Sequence, residues 1–202
     1  MSSTNKALEL AEQQLQLLDP ILGSIIKTQM PIRHLPRSDY FAALCGSIIS
    51  QQVSTAAASA IFGRLKDTTG LMPEKVKALG LDQIKTIGLS RQKAGYLIDL
   101  ADHFVTNPKV YNHLSESTDE EVITELTAVK GIGVWTAQMF LMFSLVRLDV
   151  FAPADLGLQN AMIRIYGLKK PLSLKQLETI SNKWRPYRTV ACWHLWRSID
   201  PS

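Results

Sequence analysis

The chain has 202 residues, 46% apolar, 20% charged and 7% aromatic, the profile of a globular protein that buries a substantial core. That balance excludes a disordered, collagen-like or disulfide-stapled chain, and its two cysteines, Cys45 and Cys192, each sit in an apolar run without a second Cys or His at the spacing of zinc or iron–sulfur ligands. Net charge is +4, but from Arg164 onward eight basic residues face two acidic ones, Glu178 and Asp200, which fits either a solvated face or a surface turned to phosphates.

No window approaches the roughly 18 consecutive apolar residues of a membrane span. The start carries Glu9 and Glu12 where a signal peptide needs an apolar core, so the expectation is an intracellular protein without a membrane partner. Asn5 to Leu18 place Leu8, Leu10, Ala11, Leu15, Leu17 and Leu18 on a rough helical stripe, and Asp19-Pro20 ends that helix and opens the next. After His34-Leu35-Pro36-Arg37, Ser38 or Asp39 is positioned to cap a helix through Phe41, Leu44, Cys45, Ile48 and Ile49. A turn at Ser50-Gln51-Gln52 leads into Ala56 to Leu65, whose small residues permit close helix packing. Shorter pieces punctuated by Gly70, Pro73, Gly80 and Gly88 precede a longer helix from Ser90 to Val105. Period-2 alternation and Asn-Gly or Asp-Gly hairpin signals are absent, so the predicted fold class is all-α. Without a Ser/Gly linker, any division is into lobes of one helical body, with the interlobe cleft as the default ligand site.

Ser117 to Arg147 is the most informative stretch. Ser117 or Thr118, with Glu120 or Glu121 three residues on, opens a helix as a capping box, and Val122, Ile123, Leu126 and Val129 carry its apolar face to Lys130. Gly131-Ile132-Gly133 then joins a second helix, Val134 to Val146. Two glycines around one aliphatic residue let the backbone approach another molecule, and amides at the start of the following helix bind a phosphate without reading base sequence. The same pattern also suits a helix connection whose glycines are steric.

Four separated segments in order, from about Tyr40 to Ser198, resemble the helix–hairpin–helix DNA glycosylase superfamily, and within it the monofunctional 3-methyladenine DNA glycosylases of the bacterial inducible and yeast types. Ser47-Ile48-Ile49-Ser50-Gln51-Gln52-Val53-Ser54 is similar to the wedge-bearing loop, Leu126 to Ala137 to the hairpin, Asp149 to Leu156 to the catalytic-aspartate segment, and Trp184 to Arg188 through Trp193 to Trp196 to the C-terminal helix. The expected architecture is two helical lobes with an interlobe DNA and base-binding cleft. One body over 1–202 would divide into approximate lobes 38–125 and 1–37 plus 126–202, the latter holding hairpin, aspartate and basic helices.

The resemblance implies an enzyme that hydrolyses the N-glycosidic bond of alkylated purines, of the 3-methyladenine and 7-methylguanine type, in double-stranded DNA after flipping the base. Cleavage builds positive charge on the sugar, so a fixed carboxylate stabilises the oxocarbenium-like transition state and can orient the attacking water. Asp155 suits that post, after the apolar lead-in Phe151-Ala152-Pro153-Ala154 and at the start of a helix Leu156 to Tyr166, although an Asp there also caps the helix. Asp149 competes, but Arg147 offers it a surface pair. Lyase relatives have a nucleophilic lysine two residues past the second hairpin glycine; Trp135 stands there, so the abasic site is left uncleaved.

By the same resemblance Trp135, Met139 and Trp196 line the substrate pocket, where electron-rich rings favour a cationic base, and Met139 departs from the aromatic residue of the bacterial relative. Trp184 and Trp193 read as core. Gln52 falls at the wedge position, although Gln51-Gln52 also reads as a polar turn. Lys130, Gly131, Gly133, Val134 and Thr136 complete the DNA-binding set. No cofactor is required, and the family hairpin implies a monovalent cation on the backbone carbonyls of Thr127, Val129 and Ile132. The protein is expected to be a monomer, in the cytoplasm or nucleoid of a bacterium or the nucleus of a eukaryote. Two other readings stand beside this one: a non-catalytic DNA-damage-binding module, and a glycosylase for a deaminated or oxidised base, for which His34 and His194 are the histidines placed near the pocket.

Overall fold

A computed structural model describes Ser2–Ile199. Met1 and Asp200–Ser202 lie outside the described residues, and with them the Asp200 of the C-terminal charge balance and the ends of the body expected over 1–202. Among the described residues the regular structure is helical, without strands: α1 (Ser3–Leu18), α2 (Pro20–Ile26), α3 (Tyr40–Ser50), α4 (Thr55–Thr69), α5 (Pro73–Thr86), α6 (Arg91–Thr106), α7 (Pro108–Tyr111), α8 (Asp119–Thr127), α9 (Val134–Phe143), α10 (Leu156–Tyr166), α11 (Leu174–Ser181) and α12 (Arg188–Ile199). None is long and apolar enough to cross a membrane. Short polar side chains start most of them: Asp39 accepts from the Ala42 amide, Ser90 from Lys93, and Thr118 and Glu121 form the reciprocal capping box.

The chain divides into two compact units, Arg37–Phe140 and Met1–Pro36 with Leu141–Ser202. The hairpin therefore falls in the unit 37–140, whereas the sequence reading grouped it with Asp155 in 126–202. Its own bonds explain the assignment, because the turn is tied to α6 and to the end of α3, as described below.

In the Arg37–Phe140 unit, Phe41, Leu44, Cys45, Ile48 and Ile49 of α3 are buried, as are Ala94, Leu97, Leu100, Ala101 and Phe104 of α6. Phe104 packs on Phe41 and Tyr111, with ring centroids 5.2 and 4.9 Å away. The alanines of α4 do not pack closely: Ala56, Ala57 and Ala60 are exposed, and only Ile61, Leu65 and Thr69, one turn apart, face the core. The helix after the hairpin ends at Phe143 and not at Val146, which has a left-handed φ of 55°, while the Arg147 amide turns back to the Leu141 carbonyl at 2.9 Å.

The other unit is built around Leu8, Leu15, Leu22, Leu158, Met162 and Trp184, all buried. Two buried carboxylates organise it. Asp19 Oδ1 accepts the Ile21 and Leu22 amides at the start of α2, and its Oδ2 accepts the Tyr166 hydroxyl at 2.9 Å and the Trp184 indole N–H at 3.0 Å. Glu12 Oε1 accepts the Ile32 amide at 2.7 Å and lies 3.0 Å from His194 Nε2, whose other ring nitrogen is 2.8 Å from Gln29 Oε1. Burial alone would raise the Glu12 carboxyl, but the bonds from His194 and Ile32 and the charges of His194 and Arg33 hold it below its ordinary value.

Candidate active site

In the Arg37–Phe140 unit three elements meet at the hairpin. Its turn closes with the Ile132 amide donating to the Val129 carbonyl at 3.1 Å, and Gly131 at its tip has φ +86°. The Tyr96 ring of α6 lies where a Gly131 side chain would be, 2.2 Å from the Cβ position, so this residue is glycine for conformation and for space. Asp99, one turn further along α6, accepts the Lys130 amide at 2.8 Å and the Lys130 ammonium at 3.0 Å. Burial would raise the Asp99 carboxyl, but these bonds and the charges of Lys130 and His103 lower it.

From the other side, Gln51 Nε2 donates to the Gly131 carbonyl at 2.9 Å. Lys93 Nζ donates to the Ile49 carbonyl at 2.8 Å and to that of Gln51, so an ammonium satisfies carbonyls at the end of α3. Gln52 follows, exposed, with a left-handed φ of 56°. Ser47, Gln51, Gln52, Gly133, Trp135 and Met139 wall a cavity of about 550 Å³ within this unit.

Of the residues singled out in sequence, Gln52, Gly131, Gly133, Trp135, Thr136 and Met139 thus share one cavity wall. Val134 and Trp135 are exposed, 54% and 45%, at the start of α9. Thr136 is buried and contributes only cavity wall, and the ammonium of Lys130 is held by Asp99. The hairpin amides of Lys130 and Ile132 are engaged inside the unit, and Gly133 and Val134, at the start of the following helix where the amides were expected to meet a phosphate, are exposed residues.

Asp155 belongs to the other unit. The segment before it is tied to α12: the Thr189 amide donates to the Leu148 carbonyl and the Val150 amide to Thr189 Oγ1, both at 2.9 Å. Asp149 is bound by Arg185 at 2.8 Å and Arg188 at 2.7 Å, partners other than the Arg147 expected from sequence. These bonds make Asp149 a structural carboxylate and engage two of the eight basic side chains of the C-terminal third. Phe151 and Ala152 are buried, but Ala154 is exposed and Asp155 itself is half-buried, more open than its apolar lead-in suggested.

Asp155 does cap α10, Oδ1 accepting the Leu158 amide at 2.6 Å. The same oxygen accepts Trp196 Nε1 at 2.9 Å, a bond from α12 that the sequence did not announce. The Trp196 ring stacks on Phe143, centroids 5.8 Å apart, and Phe143 continues through Trp193 to His34, 4.4 Å from the Trp193 ring. Trp184 and Trp193 are core residues, as read. His194 is fully buried on Glu12 and Gln29, which removes it from the histidines near a substrate pocket. Both cysteines are buried thiols, pushed up by burial first, and for Cys192 by the charge of Asp155 next.

Residues 45–186 match the HhH-GPD superfamily of base excision DNA repair proteins. The chain is 30% identical over 182 residues to DNA-3-methyladenine glycosylase 1 of Schizosaccharomyces pombe, covering 88% of this chain and 80% of that one. It is 34% identical over 223 residues to the DNA-3-methyladenine glycosylase of Saccharomyces cerevisiae, covering 89% and 75%. Among solved structures it is similar to the DNA-3-methyladenine glycosidase from Bacillus halodurans, with a TM-score of 0.82 at 34% identity over 92% of this chain and 87% of that one. The S. pombe 3-methyladenine DNA glycosylase in complex with abasic DNA matches with a TM-score of 0.79 at 28% identity, over 93% and 95%. With the hairpin, the capping aspartate and the C-terminal helix in the order of that family, the chain belongs to the HhH-GPD superfamily of base excision DNA repair proteins.

Proposed function

We propose that this protein is a monofunctional DNA glycosylase that excises alkylated purines of the 3-methyladenine and 7-methylguanine type from double-stranded DNA and leaves an abasic site. The observation that carries the reading is Asp155, a half-buried carboxylate whose Oδ1 is fixed by a backbone amide and an indole N–H. Its charge stabilises the developing oxocarbenium ion and orients water toward the sugar carbon. Trp135, where lyase relatives have lysine, cannot form a Schiff base, so strand cleavage is not part of the reaction. The names of the relatives support the substrate class, and the aromatic Trp135 beside Met139 in the cavity wall suits a positively charged base.

In this reading the exposed backbone of Gly133 and Val134 takes a phosphate, and Gln52, held at the end of α3 in a left-handed conformation, fills the space of the flipped base. Such a reaction places the enzyme with cellular DNA and asks for no second copy. The carbonyls of Thr127, Val129 and Ile132 are hard, neutral oxygen donors fitted to a monovalent cation. Thr127 lies in the last turn of α8, where carbonyls lack helical partners, and Val129 keeps a lone pair beside the one Ile132 occupies. Replacing potassium by tetramethylammonium at constant ionic strength should then weaken duplex binding; equal affinity in both salts would remove the cation from the reading.

The test is single-turnover release of free base from methylated DNA by wild type and Asp155→Asn, with strand scission followed separately. Release by wild type, reduced at least about 100-fold in the variant with duplex affinity kept, and scission only after alkali, is the expected result. Tight binding by both proteins with release by neither would make this a damage-binding module instead.

A further inference from the structure

We propose that Trp196 is a positioning residue for Asp155 and that glycine at position 157 leaves the carboxylate oxygen the room to meet the indole across the first turn of α10. The inference rests on the glycosylase reading for its consequence in the reaction, but its geometry stands on its own. Trp196 Nε1 and the Leu158 amide both donate to Oδ1, at 2.9 and 2.6 Å, so two N–H groups from two helices converge on one oxygen. A cap bond alone lets a carboxylate pivot about χ2; a second donor from α12 fixes its plane, and with it the direction in which the negative charge is presented. Phe143, stacked on the indole at 30° between planes, backs the ring from the side and limits its own rotation.

Gly157 completes the arrangement. Its φ is not left-handed, so its backbone conformation is open to any residue, and near the start of an α-helix alanine is ordinarily the better choice. What a side chain would crowd is the carboxylate. A Cβ at 157 would stand 3.2 Å from Asp155 Oδ1, tighter than an ordinary contact, and 3.5 Å from both Cδ1 and Nε1 of Trp196, which is ordinary contact. The oxygen would have to give by a few tenths of an ångström while its indole partner stays against the new methyl, so the strain falls on the hydrogen bond. Asp155, Gly157 and Trp196 therefore act as one unit, in which glycine supplies the opening, tryptophan the donor and aspartate the charge.

The experiment compares wild type with Trp196→Phe, which keeps a ring on Phe143 and loses the donor, and with Gly157→Ala, which keeps every polar group and closes the opening. Two readouts are followed: the single-turnover rate at saturating enzyme beside duplex affinity, and the indole Nε1–H resonance of Trp196, assigned by its absence in Trp196→Phe. The expected result is a rate lowered about 10- to 100-fold in Trp196→Phe with affinity within about twofold, the scale of a misplaced reacting group. Gly157→Ala should lower the rate several-fold without loss of thermal stability and shift the Trp196 resonance, and Asp155→Asn should shift that resonance too.

A Trp196 resonance unmoved in both Gly157→Ala and Asp155→Asn, or a wild-type rate in Trp196→Phe, would overturn the proposal. So would a Trp196→Phe loss that lies wholly in affinity. If wild-type protein releases no base, the glycosylase reading fails, whereas the resonance in Asp155→Asn and Gly157→Ala still decides whether the indole holds the carboxylate.

Discussion

Gly131→Ala separates the two demands that the hairpin tip makes on its residue. The backbone there has φ +86°, which costs a residue with a Cβ about 1–2 kcal/mol. The new methyl would also lie 2.2, 2.5 and 2.6 Å from Cδ2, Cγ and Cε2 of Tyr96. The ring is anchored at its far end by Gln92, 2.5 Å from the hydroxyl, so its body must shift, at the roughly 1–3 kcal/mol of an overpacked site. The total is about 2–5 kcal/mol. Repeating the substitution in a Tyr96→Ala background removes the ring and leaves only the backbone part, so the two changes should couple by about 1–3 kcal/mol. Gly133→Ala is the internal contrast, because no atom lies within 4 Å of its Cβ position and its φ is not left-handed, so it should cost under about 1 kcal/mol. Urea unfolding followed by far-UV circular dichroism, with equal m-values across the set, gives all of these differences. A Gly131→Ala cost below about 1 kcal/mol, or the same cost with and without the Tyr96 ring, would refute the account of the turn given above.

Asp19→Asn turns an amide nitrogen toward the Tyr166 hydroxyl and the Trp184 indole N–H, or sacrifices the cap of α2 to avoid it, and should lower the urea-derived stability by about 2–4 kcal/mol; a loss under about 1 kcal/mol would mean that these buried donors have other acceptors. Glu12 is lowered in the folded state, so the stability it contributes is fully present above its unfolded value near 4.5 and is lost as pH falls through the lower folded value. Urea midpoints should therefore decline below about pH 5 in wild type and decline less steeply in Glu12→Gln, which starts from a lower stability because His194 and the Ile32 amide lose their carboxylate; parallel slopes would exclude Glu12 from the acid response.

Helices and their starts were legible because the signals are local. Asp39, Ser90, Thr118 with Glu121, and Asp155 each act within three residues of the amides they cap, and a pattern of that reach survives in one dimension. Burial was legible only where a stripe is continuous. The alanines of α4 read as packing surface because they are small, yet Ile61, Leu65 and Thr69 already supply the buried stripe and leave the alanines outside it. The end of α9 was misplaced because Leu145 and Val146 continue the apolar run; the backbone turns there with a β-branched residue at positive φ, for which composition gives no sign.

The polar partners were beyond reach for the opposite reason. Glu12 with His194, Asp19 with Trp184 and Gln51 with Gly131 are pairs 182, 165 and 80 residues apart, and nothing in a polar side chain names the distant donor it will meet. His194 could be placed by sequence near a pocket and proves to be fully buried on such a pair. Asp155 shows how the two kinds of information combine. Its local signal, an aspartate before a helix, admitted a cap or a catalytic carboxylate as competing readings; the structure shows the cap, and under the proposed function the same bond orients the charged group. One oxygen takes the Leu158 amide as thousands of helix caps do, and the distant Trp196 then adds the second donor that an ordinary cap lacks. Under the proposed function the structural role is then the means of the chemical one: the helix start holds the carboxylate, and the donor from α12 sets the direction in which it is presented.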